Sequence, residues 1–325
     1  MAQPTQSQVH IDSVLTNISV AYVQMQDHFI AGQVFPMIPV NKQSDLYYLY
    51  TKNDWFRDEM QRRPDSTESA GSGYGLSTAS YRCDVWALHK DIGDQTRQNC
   101  DMPLNPDRDA TQFLTQRGLL RQEIQWVTDY FATSVWATDM TGVSAAPTGS
   151  QFVYWSDYTN SNPINDIEAG KETVLSTTGF LPNTLVLGYQ VFRQLKYHPD
   201  IVDRFKYTSP DNITEQMMAA FFDLDSVYVA KAVKATNNEG ETSAYSFTHG
   251  KHAWLGYVNP NPGLLAPSAG YTFTWNGVSQ GMGTNIGVSR FYMQNLKCDR
   301  VEIELAFDNK VVATDLGYFF SGAVV

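Results

Sequence analysis

The sequence predicts an α+β chain, and three observations carry that reading. A helical stripe begins just after Asn105, an alternating strand pattern occupies residues 301–307, and an aromatic, charge-rich excursion near the start lacks an apolar face of its own. At 325 residues and 36.5 kDa the chain is long enough for two average domains or one large one. Hydrophobic residues at 42% and aromatics at 13% exclude disordered and low-complexity classes. With 34 Asp plus Glu against 23 Lys plus Arg the net charge is −11, which argues against a protein that grips nucleic acid by neutralising phosphates.

Residues 9–39, with Pro36 and Pro39, read as an extended arm with at most a short helix over 13–28. Residues 46–50 are aromatic and β-prone, 52–68 are dense in charges of both signs, 69–75 form a glycine-rich tip, and 81–88 read as the return strand. An isolated hairpin is marginal in water, so this excursion needs a partner surface. The side chains expected to supply contacts between subunits are Trp55, Phe56, Arg57, Glu59, Met60, Arg62 and Arg63, because a mixed charge set beside apolar anchors fixes register and partner choice.

Asn105 can cap a helix that has Pro106 at its first position and Asp107 and Asp109 at the positive end of its dipole. The stripe Phe113, Leu120, Ile124, Val127, Phe131, Val135 extends it for about 30 residues, roughly 45 Å, with Gly118 as a weak point or bend. A second helix starts at Asn162-Pro163 and ends near Gly179. Strands are expected at 184–187, 226–233, 245–248, 253–258 and 271–275. Helices are expected at 190–197, stopped by Pro199, and at 214–222. Val301, Ile303, Leu305 and Phe307 alternate with Glu302, Glu304 and Ala306, and Asp308-Asn309 reads as a turn into residues 311–313.

Residues 1–19 show neither a basic nor an apolar signal region, and no apolar run reaches the roughly 18 residues of a membrane-spanning helix. The expectation is a soluble, cytosol-made protein with no membrane partner. Cys83, Cys100 and Cys298, an odd number at wide spacing, fit reduced thiols.

Gly277-Val278-Ser279-Gln280-Gly281 fits a nucleophile elbow with Ser279 as the candidate serine. The residues after it are helix breakers where the elbow requires a helix. All six histidines also precede Ser279, whereas in that hydrolase fold the histidine follows, so a glycine-rich loop is the better reading. Gly71 to Gly75 lack the Gly-Lys-Ser/Thr of a phosphate loop, and Gly281 to Gly287 lack dinucleotide spacing. His249 and His252 have no third ligand at metal spacing and read as solvated polar residues. No catalytic, cofactor or metal residue is therefore assigned.

The stretch Gly179-Phe-Leu-Pro-Asn-Thr-Leu-Val-Leu-Gly188, then Val191-Phe192, Leu195, His198-Pro-Asp200 and Asp203-Arg-Phe-Lys-Tyr207, resembles the major capsid proteins of tailed bacteriophages. Residues 213–231 follow in the same order as that family's helix leading into a strand. The upstream arm, charged hairpin, long helix and Asn162-Pro-Ile-Asn-Asp-Ile-Glu168 are similar to the Hong Kong 97-type capsid fold. The resemblance implies an N-terminal arm over 1–44, an extended loop over 45–82 and a peripheral domain with a spine helix over 83–179. It further implies an axial domain over 180–280 and a return to the peripheral domain over 281–325.

The resemblance also implies self-assembly into hexamers and pentamers of an icosahedral head shell. Such a shell encloses double-stranded DNA without sequence-specific binding, and it carries scaffolding, portal and decoration proteins as further partners. Made in the host cytoplasm, the chain would end in the virion. Nothing before Val9 matches a long helical scaffolding segment, so a separate scaffolding protein or none is expected. An encapsulin-type shell around a protein cargo is the alternative with the same fold, and a serine hydrolase using Ser279 is the enzyme alternative.

Overall fold

The computed structural model describes residues 23–100, 104–205, 213–263, 265–278 and 286–325. In chain order the helices are α1 (Ala31–Val34), α2 (Lys52–Phe56), α3 (Asp94–Gln98), α4 (Pro106–Tyr130), α5 (Pro163–Thr178), α6 (Tyr189–Lys196), α7 (Pro199–Phe205) and α8 (Glu215–Phe221). The strands are β1 (Met37–Val40), β2 (Ser44–Tyr50), β3 (Leu76–Arg82), β4 (Asp84–Gly93), β5 (Thr138–Val143), β6 (Gln151–Val153), β7 (Thr184–Gly188), β8 (Ser226–Ala230), β9 (Val233–Ala235), β10 (Tyr245–Phe247), β11 (Ala253–Gly256), β12 (Gly270–Trp275), β13 (Ile286–Met293), β14 (Cys298–Val311) and β15 (Gly317–Ser321).

Two sheets organise the molecule. In the first, β14 is the hub: it pairs antiparallel with β4, β13 and β12, and β1 adds in parallel to β12. The expected alternation holds over 301–305, with Val301, Ile303 and Leu305 buried and Glu302 and Glu304 only partly covered, and breaks at Ala306, which is buried beside Phe307. The second sheet has six strands in the order β6-β5-β15-β11-β7-β8. The β9–β10 ribbon and the β2–β3 hairpin stand apart from both sheets.

Helix α4 joins the two. Asn105 accepts from the Arg108 amide to cap it, and Pro106 occupies its first turn. Its first half buries Ala110 and Leu114 against Val301, Ile303 and Leu305 of β14. Its second half places Trp126 and Tyr130 in the large core beneath the six-stranded sheet. Gly118 is no bend: a Cβ there would lie 3.0 Å from Ile303 Cδ1, so the glycine lets helix and strand approach closely.

Several expectations need correction. The return strand of the excursion is β3, and residues 84–93 belong instead to the sheet around β14, which ten residues of β4 pair with continuously. The turn at Asp308-Asn309 does not exist, because β14 runs straight through it. Asp308 Oδ2 accepts the Arg82 amide, and Asn309 binds Thr272 and Asp129, so their polar groups are satisfied across the sheet. Helix α4 ends at Tyr130, 25 residues long, about 37 Å. Phe113 is exposed, and the buried face runs through Leu114, Gly118, Gln122, Glu123 and Trp126. Pro199 both ends α6 and starts α7, as a proline at a first helical position can. The helix expected over 13–28 falls mostly outside the described residues; within them Gln26–His28 is one 3₁₀ turn.

The chain crosses between the two sheets repeatedly. The sequence boundaries at 179/180 and 280/281 therefore do not follow them: β5, β6 and α5 stand with the six-stranded sheet, β12 with the hub strand, and β15 inside the six-stranded sheet.

Candidate interaction surface

The β2–β3 hairpin pairs from Ser44↔Arg82 to Tyr50↔Leu76. Its root is packed: Tyr47 and Tyr81 lie over Phe273 of β12 with ring centroids 5.6 and 4.6 Å away, beside Cys83, Tyr271 and Trp275. Its neck is closed by Thr51 N donating to Gly75 O and Gly75 N donating to Asp54 Oδ2. At Gly75 a Cβ would stand 2.8 Å from Thr51 Oγ1, so a side chain there would have to displace the threonine hydroxyl at the neck.

Above the neck the chain is mostly exposed, with Glu59 half-buried. Trp55, Tyr50 and Tyr74 form an aromatic trio with centroids 6.0 to 6.1 Å apart. Trp55 and Phe56 remain more than half exposed and Met60 is 95% exposed, too large a cluster of apolar side chains to be incidental. Two contacts hold α2 against its own subunit. Lys52 Nζ pairs with Asp315 at 2.5 Å, and the Phe56 ring rests beside Gly179, the left-handed C-terminal residue of α5.

The structure brings Arg57 and Glu59 together at 3.2 Å. The Glu59 carboxyl is held below the usual carboxylate range by Ser72 first and Arg57 second. It does not pair Arg62 or Arg63 with a carboxylate among the described residues; Arg63 instead donates to Thr67 O. Sequence reasoning missed Leu46, Tyr48, Tyr74 and Leu76, all exposed on the same hairpin.

A second, partly exposed strip lies along the flank of α4 beside β4, with Arg117 and Phe113 exposed and Trp86, Lys90 and Arg121 half-buried. Arg121 stacks 3.8 Å over the Trp86 ring, and Arg117 and Lys90 sit 5.2 and 5.5 Å from the Phe113 ring. None of these three cations meets a carboxylate among the described residues, and Phe113 and Leu88 are exposed beside them. Reading Phe113 as core hid this strip in the sequence.

Chemistry was sought elsewhere as well. Ser279 lies outside the described residues. One Ser/His/Asp grouping does occur: Ser161 Oγ is 3.0 Å from His198 Nε2, and Asp200 Oδ2 is 3.8 Å from His198 Nδ1. Its hydrogen bonds run the wrong way for a nucleophile. Nδ1 accepts the Asp200 amide, so Nε2 carries the ring proton and donates to Ser161, whose own hydroxyl donates to Asp157 O at 2.6 Å. The group ties the loop before α5 to the turn between α6 and α7. His249 and His252, expected in solvent, are instead packed against Phe131 and Phe319, and burial pushes both imidazoles to lower pKa, His249 to about 3. No group of three metal-ligating side chains occurs among the described residues, and no described helix is long and apolar enough to cross a membrane.

With this geometry in view, comparison with known proteins is informative. The chain is 24% identical over 319 residues to the major capsid protein of Burkholderia phage BcepMu, covering 96% of both chains. It is 27% identical over 327 residues to that of Pseudomonas phage JBD67, covering 97% of both. A phage-related protein from Bordetella bronchiseptica superposes with a TM-score of 0.68 at 22% identity, over 93% of this chain and 94% of that one. The capsid structure of cyanophage P-SCSP1u gives 0.61 at 8% identity, over 97% and 93%. The chain has the phage capsid fold. No protein-family model matches it. The same capsid fold also underlies the likeness to an encapsulin complex from Synechococcus elongatus, with a TM-score of 0.55 at 11% identity over 96% and 94%. Fold alone therefore does not separate the two kinds of shell.

Proposed function

We propose that this chain is the major capsid protein of a tailed phage, a structural subunit that tiles an icosahedral head around double-stranded DNA. The observation that carries the reading is similarity to phage major capsid proteins along 96–97% of both chains. That likeness at the level of sequence favours a nucleic-acid shell over an encapsulin with protein cargo. An acidic chain suits a container that holds DNA without binding it tightly. The role asks for no cofactor and no catalytic residue. The unit around β14 would be the peripheral domain and the six-stranded unit the axial domain, with the chain closing into hexamers and pentamers through head-to-tail contacts.

The surface with the right character is the hairpin. Its exposed Trp55, Phe56 and Met60 and its surplus of carboxylates between Asp54 and Glu68 complement the cationic, aromatic strip of Lys90, Phe113, Arg117 and Arg121 on a neighbouring copy. Each exposed ion pair is worth only about 0–1 kcal/mol, so the contact depends on repetition around a closed ring and on the apolar anchors. Electron microscopy and light scattering of the purified chain should find hollow particles or capsomer rings. A stable 36.5 kDa monomer at every salt and protein concentration, also with its neighbouring gene products present, would reject the proposal. Particles loaded with a protein in place of nucleic acid in the native host would favour the encapsulin reading.

A further inference from the structure

The arm enters the body of the subunit at a buried carboxylate. Glu123, in the middle of α4 and fully buried, uses Oε2 to accept the Ile30 amide at 3.0 Å and the Ala31 amide at 2.8 Å, at the start of α1. Its other oxygen, Oε1, has no hydrogen-bond partner and faces His249 Nδ1 at 3.5 Å. His249 is buried between Trp126 and Phe131, and its Nδ1 also lies 3.0 Å from Thr248 Oγ1. Its Nε2 has no partner. Downstream, Val34 and Phe35 anchor the segment permanently, with the Phe35 ring against Tyr130, Trp126 and Trp254. Upstream, Phe29 is buried, while before it the contacts are polar: Lys231 N donates to His28 O, Gln24 exchanges two hydrogen bonds with the Val233 backbone, and Gln116 donates to Gln24 O.

We propose that Glu123 and His249 form a buried proton-binding pivot, at which the described arm segment 23–29 is seated when the pivot is protonated and loosened when it is ionised. The chemistry follows from the two oxygens. Protonated Glu123 carries its proton on Oε1 and donates it to Nδ1, with the imidazole proton on Nε2. Ionised Glu123 requires the other tautomer, which turns Nδ1–H toward Oε1. Only the ionised form leaves a full negative charge on a side chain removed from solvent, and lifting the arm relieves this by hydrating the carboxylate. Burial accordingly raises the Glu123 carboxyl to about 7, against the two amide bonds that pull it down.

The other ionisable groups near the pivot do not supply a compensating charge. They are His252 behind His249, held neutral by burial; Asp27 and His28 on the arm; and Lys231, whose ammonium is engaged by Glu215. The seated arm thus holds the proton more tightly than the lifted arm. Seating is complete below the ordinary carboxyl range and weakens as pH rises toward 7. The pivot supplies a control on the arm that the shell reading alone does not require.

Amide hydrogen exchange of Ile30 and Ala31 in the full chain tests this, with intrinsic base catalysis of exchange corrected for. Their opening constant should rise about tenfold per pH unit between pH 5 and 7 and level off above. Glu123→Gln, which keeps an acceptor oxygen for the amides but cannot ionise, should abolish the slope. Nitrogen-15 NMR of labelled histidine provides a readout independent of any variant: His249 should exchange its Nε2–H for its Nδ1–H tautomer near pH 7 without becoming charged. Opening that is independent of pH in the parent, an unchanged slope in Glu123→Gln, or a single His249 tautomer from pH 5 to 8 would each overturn the proposal.

Discussion

The rings of Tyr81 and Phe273 stack at 4.6 Å with 13° between their planes, and this contact divides the hairpin into a root that belongs to the fold and a tip that does not. Tyr81 is buried, whereas Trp55 at the tip is 56% exposed. Tyr81→Ala should cost about 3–4 kcal/mol, as for other large buried aromatics, and Trp55→Ala no more than about 0.5 kcal/mol. Chemical denaturation of both variants checks this; equal losses would mean that the tip, too, is core.

Shortening the tip separates folding from assembly. Replacing residues 58–73 by a short Gly/Ser linker keeps the neck bonds of Thr51, Asp54 and Gly75 and should leave a subunit that melts near the parent temperature but forms no particles. Glu substitutions at Arg117 and Arg121 should weaken assembly in the same direction, most at low salt, where pairing is least screened. Electron microscopy beside a melting curve distinguishes the outcomes: normal particles from the shortened protein would remove the hairpin from the interface, and normal particles from the Glu variant would remove the α4 strip.

Gly118→Ala sets propensity against packing. Alanine should improve a helix by about 1 kcal/mol, yet its Cβ would press on Ile303 and Leu305, both nearly inaccessible to solvent. Overpacking of this kind costs about 1–3 kcal/mol, so net destabilisation is expected. A calorimetric rise in Tm would show that the interface between α4 and β14 has slack.

The buried histidine makes a prediction in acid. The His249 pKa falls from 6.5 to about 3 on folding because burial penalises its charged form, so the unfolded chain binds its proton more tightly, and this group's stability contribution is lost as pH drops from 6.5 toward 3. Glu123 works with the opposite sign between about 4.5 and 7. In His249→Gln the acid loss from this site should vanish, narrowing the difference from the parent by about 1.4 kcal/mol per unit between pH 6 and 4. Urea denaturation at stepped pH measures it; parallel profiles would show that His249 titrates normally.

No disulfide joins Cys83, Cys100 and Cys298 in the structure. Burial, followed by the nearby Asp308 and Asp84, pushes the Cys83 thiol up to about 12, which makes it a poor nucleophile in the folded subunit. Thiol titration of unreduced protein should count three groups after denaturation, with Cys83 unreactive before it; a count near one would mean a disulfide.

Features governed by neighbours in sequence were legible. Asn105-Pro106 and Asn162-Pro163 start helices, and Gly179 ends one, because capping is settled within a few residues. Features settled by distant partners were not. Asp308 and Asn309 look like a turn until Arg82, Thr272 and Asp129 are known to satisfy them. Phe113 looks like core until Lys90 and Arg117 are found over its ring, and Glu123 looks like surface until the arm is seen to need its carboxylate. The hairpin betrayed itself by its lack of a core, but its footing on Phe273 left no local mark.

The hub strand β14 has a consequence for biosynthesis. Its partners come from residues 84–93, 270–274 and 286–293, and the other sheet holds residues 317–321 between strands near 140 and 255. Neither sheet can close on the ribosome until almost the whole of this sequence has emerged, and pairings this distant in the chain form slowly. A growing chain therefore displays the β2–β3 hairpin before either sheet is complete. The topology itself sets an order in which both sheets close only after residues 317–321 are available.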